Sequence, residues 1–103
     1  MMHPDKVQRE RVRKLTDLPN VGPAMASDLR LLGITRPEDL VGADPLQLYQ
    51  MLCRRTGVRH DPCVLDVFMS ITDFAAGGAA RPWWTFTLVR KQLYGAHPDR
   101  IPT

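Results

Sequence analysis

Apolar residues recur at helical spacing along most of this chain of 103 residues. Val21, Met25, Leu29 and Leu32 share one face of a helix that opens at Pro23, where a missing N–H costs nothing, and stops at Gly33. Just before it, Leu18-Pro19-Asn20-Val21 suits a type II turn. Proline presets the first central residue, and asparagine is among the few residues that tolerate positive φ at the second. Asp5 to Asp17 reads as a preceding helix, with Val12, Leu15 and Leu18 as its core face and a charged, exposed N-terminal half.

Further along, Thr35 with Glu38 three residues on forms a capping box for a short helix that buries Ile34 and Leu40 and ends at Gly42. Asp44-Pro45 starts the next, with Leu48, Tyr49, Leu52 and Cys53 inward, Gly57 as the stop, and Arg54 and Arg55 in the last turn beside the negative end of the dipole. Asp61-Pro62 repeats the start signal. The helix to about Ala76 is expected to be the most buried, with Val64, Val67, Phe68, Ile71 and Ala75 on one broad face and Leu65 and Met69 beside it. Gly77-Gly78 ends it. Pro82 to Tyr94 reads as a helix with Trp83, Phe86, Val89 and Leu93 inward, because a lone strand has no partner elsewhere in the sequence. Met1 to Pro4 is expected to fray. The expectation is an all-α bundle of five to six short helices, one domain over 1–94, with 95–103 as a tail.

Composition narrows the function. No apolar run approaches the ~18 residues of a membrane span, and no signal-like segment follows Met1, so a cytoplasmic location is expected. Cys53 and Cys63 lack any C-x-x-C spacing and read as buried thiols. The net charge of +3 is distributed in blocks of alternating sign, and arginine supplies most of the positive charge. Arginine suits bidentate phosphate contact. The blocks are compatible with a basic face and equally with ordinary solvated surface.

The stretch L-x-x-L-P-N-V-G-P-x-x-A-x-x-L-x-x-L-G-I, from Leu15 to Ile34, resembles a helix-hairpin-helix motif. Asn20 stands at its first hairpin glycine, Val21 at the apolar position, Gly22 at the second glycine, and Ala26 at the small residue where two helices pack. The resemblance implies that backbone amides around Asn20, Val21, Gly22, Ala24 and Met25 hold a DNA phosphate without reading sequence, with Arg13, Lys14 and Arg30 as electrostatic support. Unpaired N–H groups at the positive end of a helix dipole form such an anion site. Asp17 and Asp28 flank the hairpin, and acids there repel phosphate.

Beyond the hairpin, Asp44-Pro45, Leu48-Tyr49, Asp61-Pro62-Cys63 and Trp83-Trp84 stand in the order found in small bacterial helix-hairpin-helix proteins labelled pathogenicity-locus or mitomycin-resistance-protein-like. This resemblance covers about Leu15 to Trp84 and implies a SAM-like fold with a DNA-associated role. The hairpin is also similar to the C-terminal domain of TfoX-type competence regulators.

The chain has no Gly-rich phosphate loop, no G-x-S-x-G and no H-E-x-x-H. His60, Cys53 and Cys63 form only a partial zinc set, Asp61 reads as a helix cap, and Cys63 as a buried thiol. Trp83 and Trp84 point about 100° apart on a helix, so one is expected in the core and the other partly exposed. The expected function is weak, sequence-independent DNA binding with no enzyme activity, cofactor or metal. The alternative is a protein-interaction module that keeps the hairpin for fold alone. The oligomeric state stays open.

Overall fold

The structure, a computed structural model, describes residues 3–95. The ends expected to be loose, Met1-Met2 and the tail beyond Gly95, lie outside the described residues. Among the described residues the chain is all-helical: α1 (Pro23–Leu31), α2 (Pro45–Thr56), α3 (Pro62–Ala75) and α4 (Thr87–Tyr94), linked by short 3-10 turns. No helix there is long and apolar enough to cross a membrane.

The local start and stop signals act as their chemistry dictates. Asp44 accepts the Leu46 amide at 2.9 Å and Asp61 accepts the Cys63 amide at 2.9 Å, each ahead of a proline in the first turn. Gly33, at φ +83, closes α1: its amide reaches the Arg30 carbonyl while that of Ile34 reaches Leu29, so two orphan carbonyls are satisfied. Between α1 and α2 the cap differs from the expected box. Asp39, and not Glu38, folds back onto the amides of Thr35 and Arg36 at 3.0 and 3.1 Å, because the element is a single 3-10 turn over Pro37–Leu40 that shifts the cap by one residue.

The expected first helix is absent. Residues 4–17 form three separate 3-10 turns, Pro4–Lys6, Arg9–Arg11 and Leu15–Asp17, and Pro4 is buried where fraying was expected. A short isolated helix needs a continuous apolar face to dock, and Val7, Val12 and Leu15 do not line up on one. The extended backbone at Val7 and Val12 lets Val7, Val12 and Leu15 all reach the core. The break also frees Arg9 to run under α3, where its guanidinium lies 3.9 Å from the Phe74 ring and donates to the carbonyls of Phe74 (2.6 Å) and Gly78. It closes the carbonyl end of that helix.

α3 is the central helix, as its wide apolar face predicted: Leu65, Phe68 and Ile71 are fully buried, and α2 and the segment Trp83–Phe86 pack on it. Along one side runs a polar seam that the apolar pattern hid. Asp66 is fully buried and pairs with Arg90 of α4 at 2.8 Å, while the Thr87 hydroxyl donates to its other oxygen at 2.7 Å. This pair sets the register of α4. Phe86, Arg90 and Tyr94, spaced by four, face inward, and the expected inward residues Val89 and Leu93 are exposed.

Breaking a buried ion pair leaves an uncompensated charge. Asp66→Ala is therefore expected to lower urea-measured stability by about 3–5 kcal/mol, and the double variant Asp66→Leu/Arg90→Met to recover most of that loss. Backbone amides, those of Arg13 and Lys14 on Asp17 and those of Thr35 and Arg36 on Asp39, hold both carboxyls below the ordinary carboxylate value. Their contribution is present above that value and is lost as pH falls through the lowered folded-state one. Urea midpoints should thus decline below about pH 4, with a smaller decline in Asp17→Asn/Asp39→Asn.

Candidate nucleic-acid interface

The hairpin is built by one asparagine. Asn20 adopts φ +67, the positive value its turn position requires. Its side chain is buried, and the amide nitrogen donates to the Ser70 hydroxyl of α3 at 3.0 Å and to the Arg81 carbonyl at 2.8 Å. Ser70 in turn donates to Val67 at 2.6 Å. Asn20 thus ties the bend to the central helix and to the link before α4. Val21 is fully buried beside it.

Past this anchor the chain turns outward. Gly22 and Met25 are half-buried and Ala24 is exposed. Here α1 differs from its neighbours. Asp44 and Asp61 cap α2 and α3, but α1 has Gly22 at the cap position and no side chain accepting from its first turn. The Ala26 amide pairs back to Gly22 at 2.9 Å, and among the described residues the amides of Ala24 and Met25 have no such acceptor. Free amides at the positive end of a nine-residue helix are suited to an anion. Of the five positions expected to hold phosphate, Ala24 is exposed and Gly22 and Met25 are half-buried, whereas Asn20 and Val21 are in the core.

The supporting cations are spread out. Arg13 and Lys14 are exposed in the segment just before the Leu15–Asp17 turn, which packs on α1. Arg13 donates to the carbonyls of Glu10 and Val12. Arg30 is exposed in the last turn of α1, roughly 10 Å of helical rise from Pro23. Asp17, which flanks the hairpin, has its Oδ2 engaged by the Arg13 and Lys14 amides at 3.0 and 3.1 Å.

The residues weighed for other chemistry are held structurally. His60 Nε2 lies 2.9 Å from the Thr56 hydroxyl, and its carbonyl accepts the Tyr49 hydroxyl. Burial and the neighbouring Asp61 carboxylate push the Cys63 thiol up, away from a reactive thiolate. Among the described residues no three of His, Cys, Asp and Glu gather as a metal set would. Trp83 is half-buried and Trp84 57% exposed, their rings edge to face at 5.7 Å.

The sequence reading missed Asp66, Ser70 and Arg90. The signal that could have found the first two is their spacing. Asp66, Ser70 and Asp73 recur at intervals of four and three within the most apolar helix, a polar stripe on a face that should carry none.

Fold and site together define a small all-helical bundle with an uncapped helix start behind a tight, internally anchored hairpin. Residues 8–92 match the family described as pathogenicity locus, and the chain belongs to that family. It is similar to the mitomycin resistance protein McrB of Streptomyces lavendulae, 46% identical over 79 residues that span 77% of this chain and 75% of the relative. No solved structure matches it significantly.

Two substitutions separate the roles of Asn20. Asn20→Gly keeps the positive φ but strands the Arg81 carbonyl, and should cost about 1–3 kcal/mol in chemical denaturation. Asn20→Ala should cost about 1 kcal/mol more, since a Cβ is disfavoured at that φ.

Proposed function

We propose that this protein binds DNA without sequence preference, using an abbreviated helix-hairpin-helix in a SAM-like bundle. The Leu15–Asp17 turn stands in for the first helix and α1 is the second. The amides of Gly22, Ala24 and Met25 hold one backbone phosphate, and Asn20 and Val21 fix the bend that presents them. Arg13, Lys14 and Arg30 add long-range attraction. Such contacts position a protein on the duplex and read no bases. The observation that carries this reading is the uncapped start of α1, in a chain whose two longer helices are both capped by aspartate. The role is binding and not catalysis, and its place is the cytoplasm.

A second reading is a protein-interaction module. It is favoured by Trp84, whose exposure suits a binding anchor.

Anisotropy of a labelled duplex distinguishes the two. The DNA reading expects binding at about 10⁻⁴–10⁻⁶ M near physiological salt, tightening as salt falls. Gly22 has φ −98 and ψ −176, extended backbone that any residue adopts, so Gly22→Glu introduces a charge without backbone strain. That variant should bind at least about tenfold more weakly at low salt, with an unchanged helical circular dichroism spectrum. Normal binding by the variant, or no binding by the wild type, moves the assignment to the interaction module.

A further inference from the structure

Three exposed arginines meet where α1 and α2 end. Arg55, in the last turn of α2, donates to the Leu31 carbonyl at the end of α1 at 2.6 Å. Its guanidinium therefore lies within about 9 Å of the Arg30 Cα, since Leu31 is the next residue along. Arg54 stands beside Arg55, about 100° away around α2. Arg55 has a structural task, closing the carbonyl end of α1. Arg30 and Arg54 show no such task, for among the described residues neither side chain makes a hydrogen bond or ion pair.

Acids are absent from this corner or turned elsewhere. Residues 29–37 and 45–60 contain no carboxylate. Asp28 stands two residues before Arg30, about 200° around α1. Asp39 turns its Oδ2 onto the amides of Thr35 and Arg36, and Asp61 turns its Oδ1 onto the Cys63 amide. Glu38 lies 3.7 Å from Arg36. Three like charges thus share one corner with no carboxylate paired to them, an arrangement that an anion relieves.

Resting on the DNA reading above, we infer that Arg30, Arg54 and Arg55 form a second contact with the same duplex and grip its backbone phosphates directly. α1 joins the two contacts: its nine residues span about 13 Å from the hairpin amides to the arginines. Phosphates recur about every 3.4 Å of axis on each strand, so a duplex lying along α1 presents others at that distance. Planar guanidinium forks match phosphate oxygens in pairs. The Leu31 bond uses one nitrogen of Arg55, and the rest of its fork remains for an anion. Two weak contacts at the ends of one helix act together as bivalent binding.

The test is a salt titration of labelled-duplex anisotropy with the full chain, over roughly 50–200 mM. Arg54→Gln should reduce the steepness of log affinity against log salt by about one. Arg30→Gln/Arg54→Gln should reduce it further and bind at least about tenfold more weakly at the low-salt end. Lys91→Gln removes the same charge from an exposed position on α4 and should leave the slope unchanged. Helical spectra should match the wild type, since Arg30 and Arg54 are exposed. A double variant with the wild-type slope overturns the inference. So does a slope that falls as much in Lys91→Gln as in Arg54→Gln, the mark of diffuse attraction. Weak binding by Gly22→Glu beside indifferent arginine variants sinks this inference alone. Normal binding by Gly22→Glu beside weakened arginine variants sinks the hairpin site and leaves the arginine contact standing. A wild type that binds no duplex overturns both.

Discussion

A line of polar groups along α3, buried at Asp66 and Ser70 and partly exposed at Asp73, holds the rest of the molecule in place. Asp66 fixes α4 through Arg90 and Thr87, Ser70 accepts the Asn20 side chain of the hairpin, and Asp73 meets Arg81 at 3.4 Å in the link between α3 and α4. Apolar packing alone has little directionality. Hydrogen bonds and ion pairs have one register, and a helix of eight residues such as α4 gains its orientation from them. α3 also places Leu65, Phe68 and Ile71 in the fully buried core, so this one element contributes to both the driving force and the alignment.

The hairpin illustrates how this seam reaches the proposed site. Positive φ at Asn20 is a local cost, met by two hydrogen bonds to α3 and the Arg81 carbonyl. With the bend anchored from below, the start of α1, half-buried at Gly22 and exposed at Ala24, is held in a fixed direction, as the proposed phosphate site would require. The seam acts on the far side as well, because the Arg90 pairing leaves Leu88, Val89 and Leu93 facing outward.

Much of this was legible in the sequence wherever the determinant is local. Asp44-Pro45 and Asp61-Pro62 start helices where their chemistry says, Gly33 and Gly57 end them at positive φ, and Asn20 takes the one left-handed position its turn demands. The absent cap at Gly22 is equally a local fact. What escaped depends on partners distant in sequence. Asn20 finds Ser70 fifty residues on, and Arg90 finds Asp66 twenty-four residues back, so neither the burial of Asn20 nor the true face of α4 follows from periodicity. The segment 5–17 has helix-forming residues but no single apolar stripe, and packing divided it into turns.

The amides at the start of α1 are the point on which the functional reading rests, and nuclear magnetic resonance observes them individually. In a titration of labelled protein with a short duplex, the largest amide shifts should fall on Gly22, Ala24 and Met25. Leu46 and Cys63, whose amides are already taken by Asp44 and Asp61, should barely move. Shifts centred elsewhere, or none at the hairpin at saturating duplex, would contradict a phosphate held there.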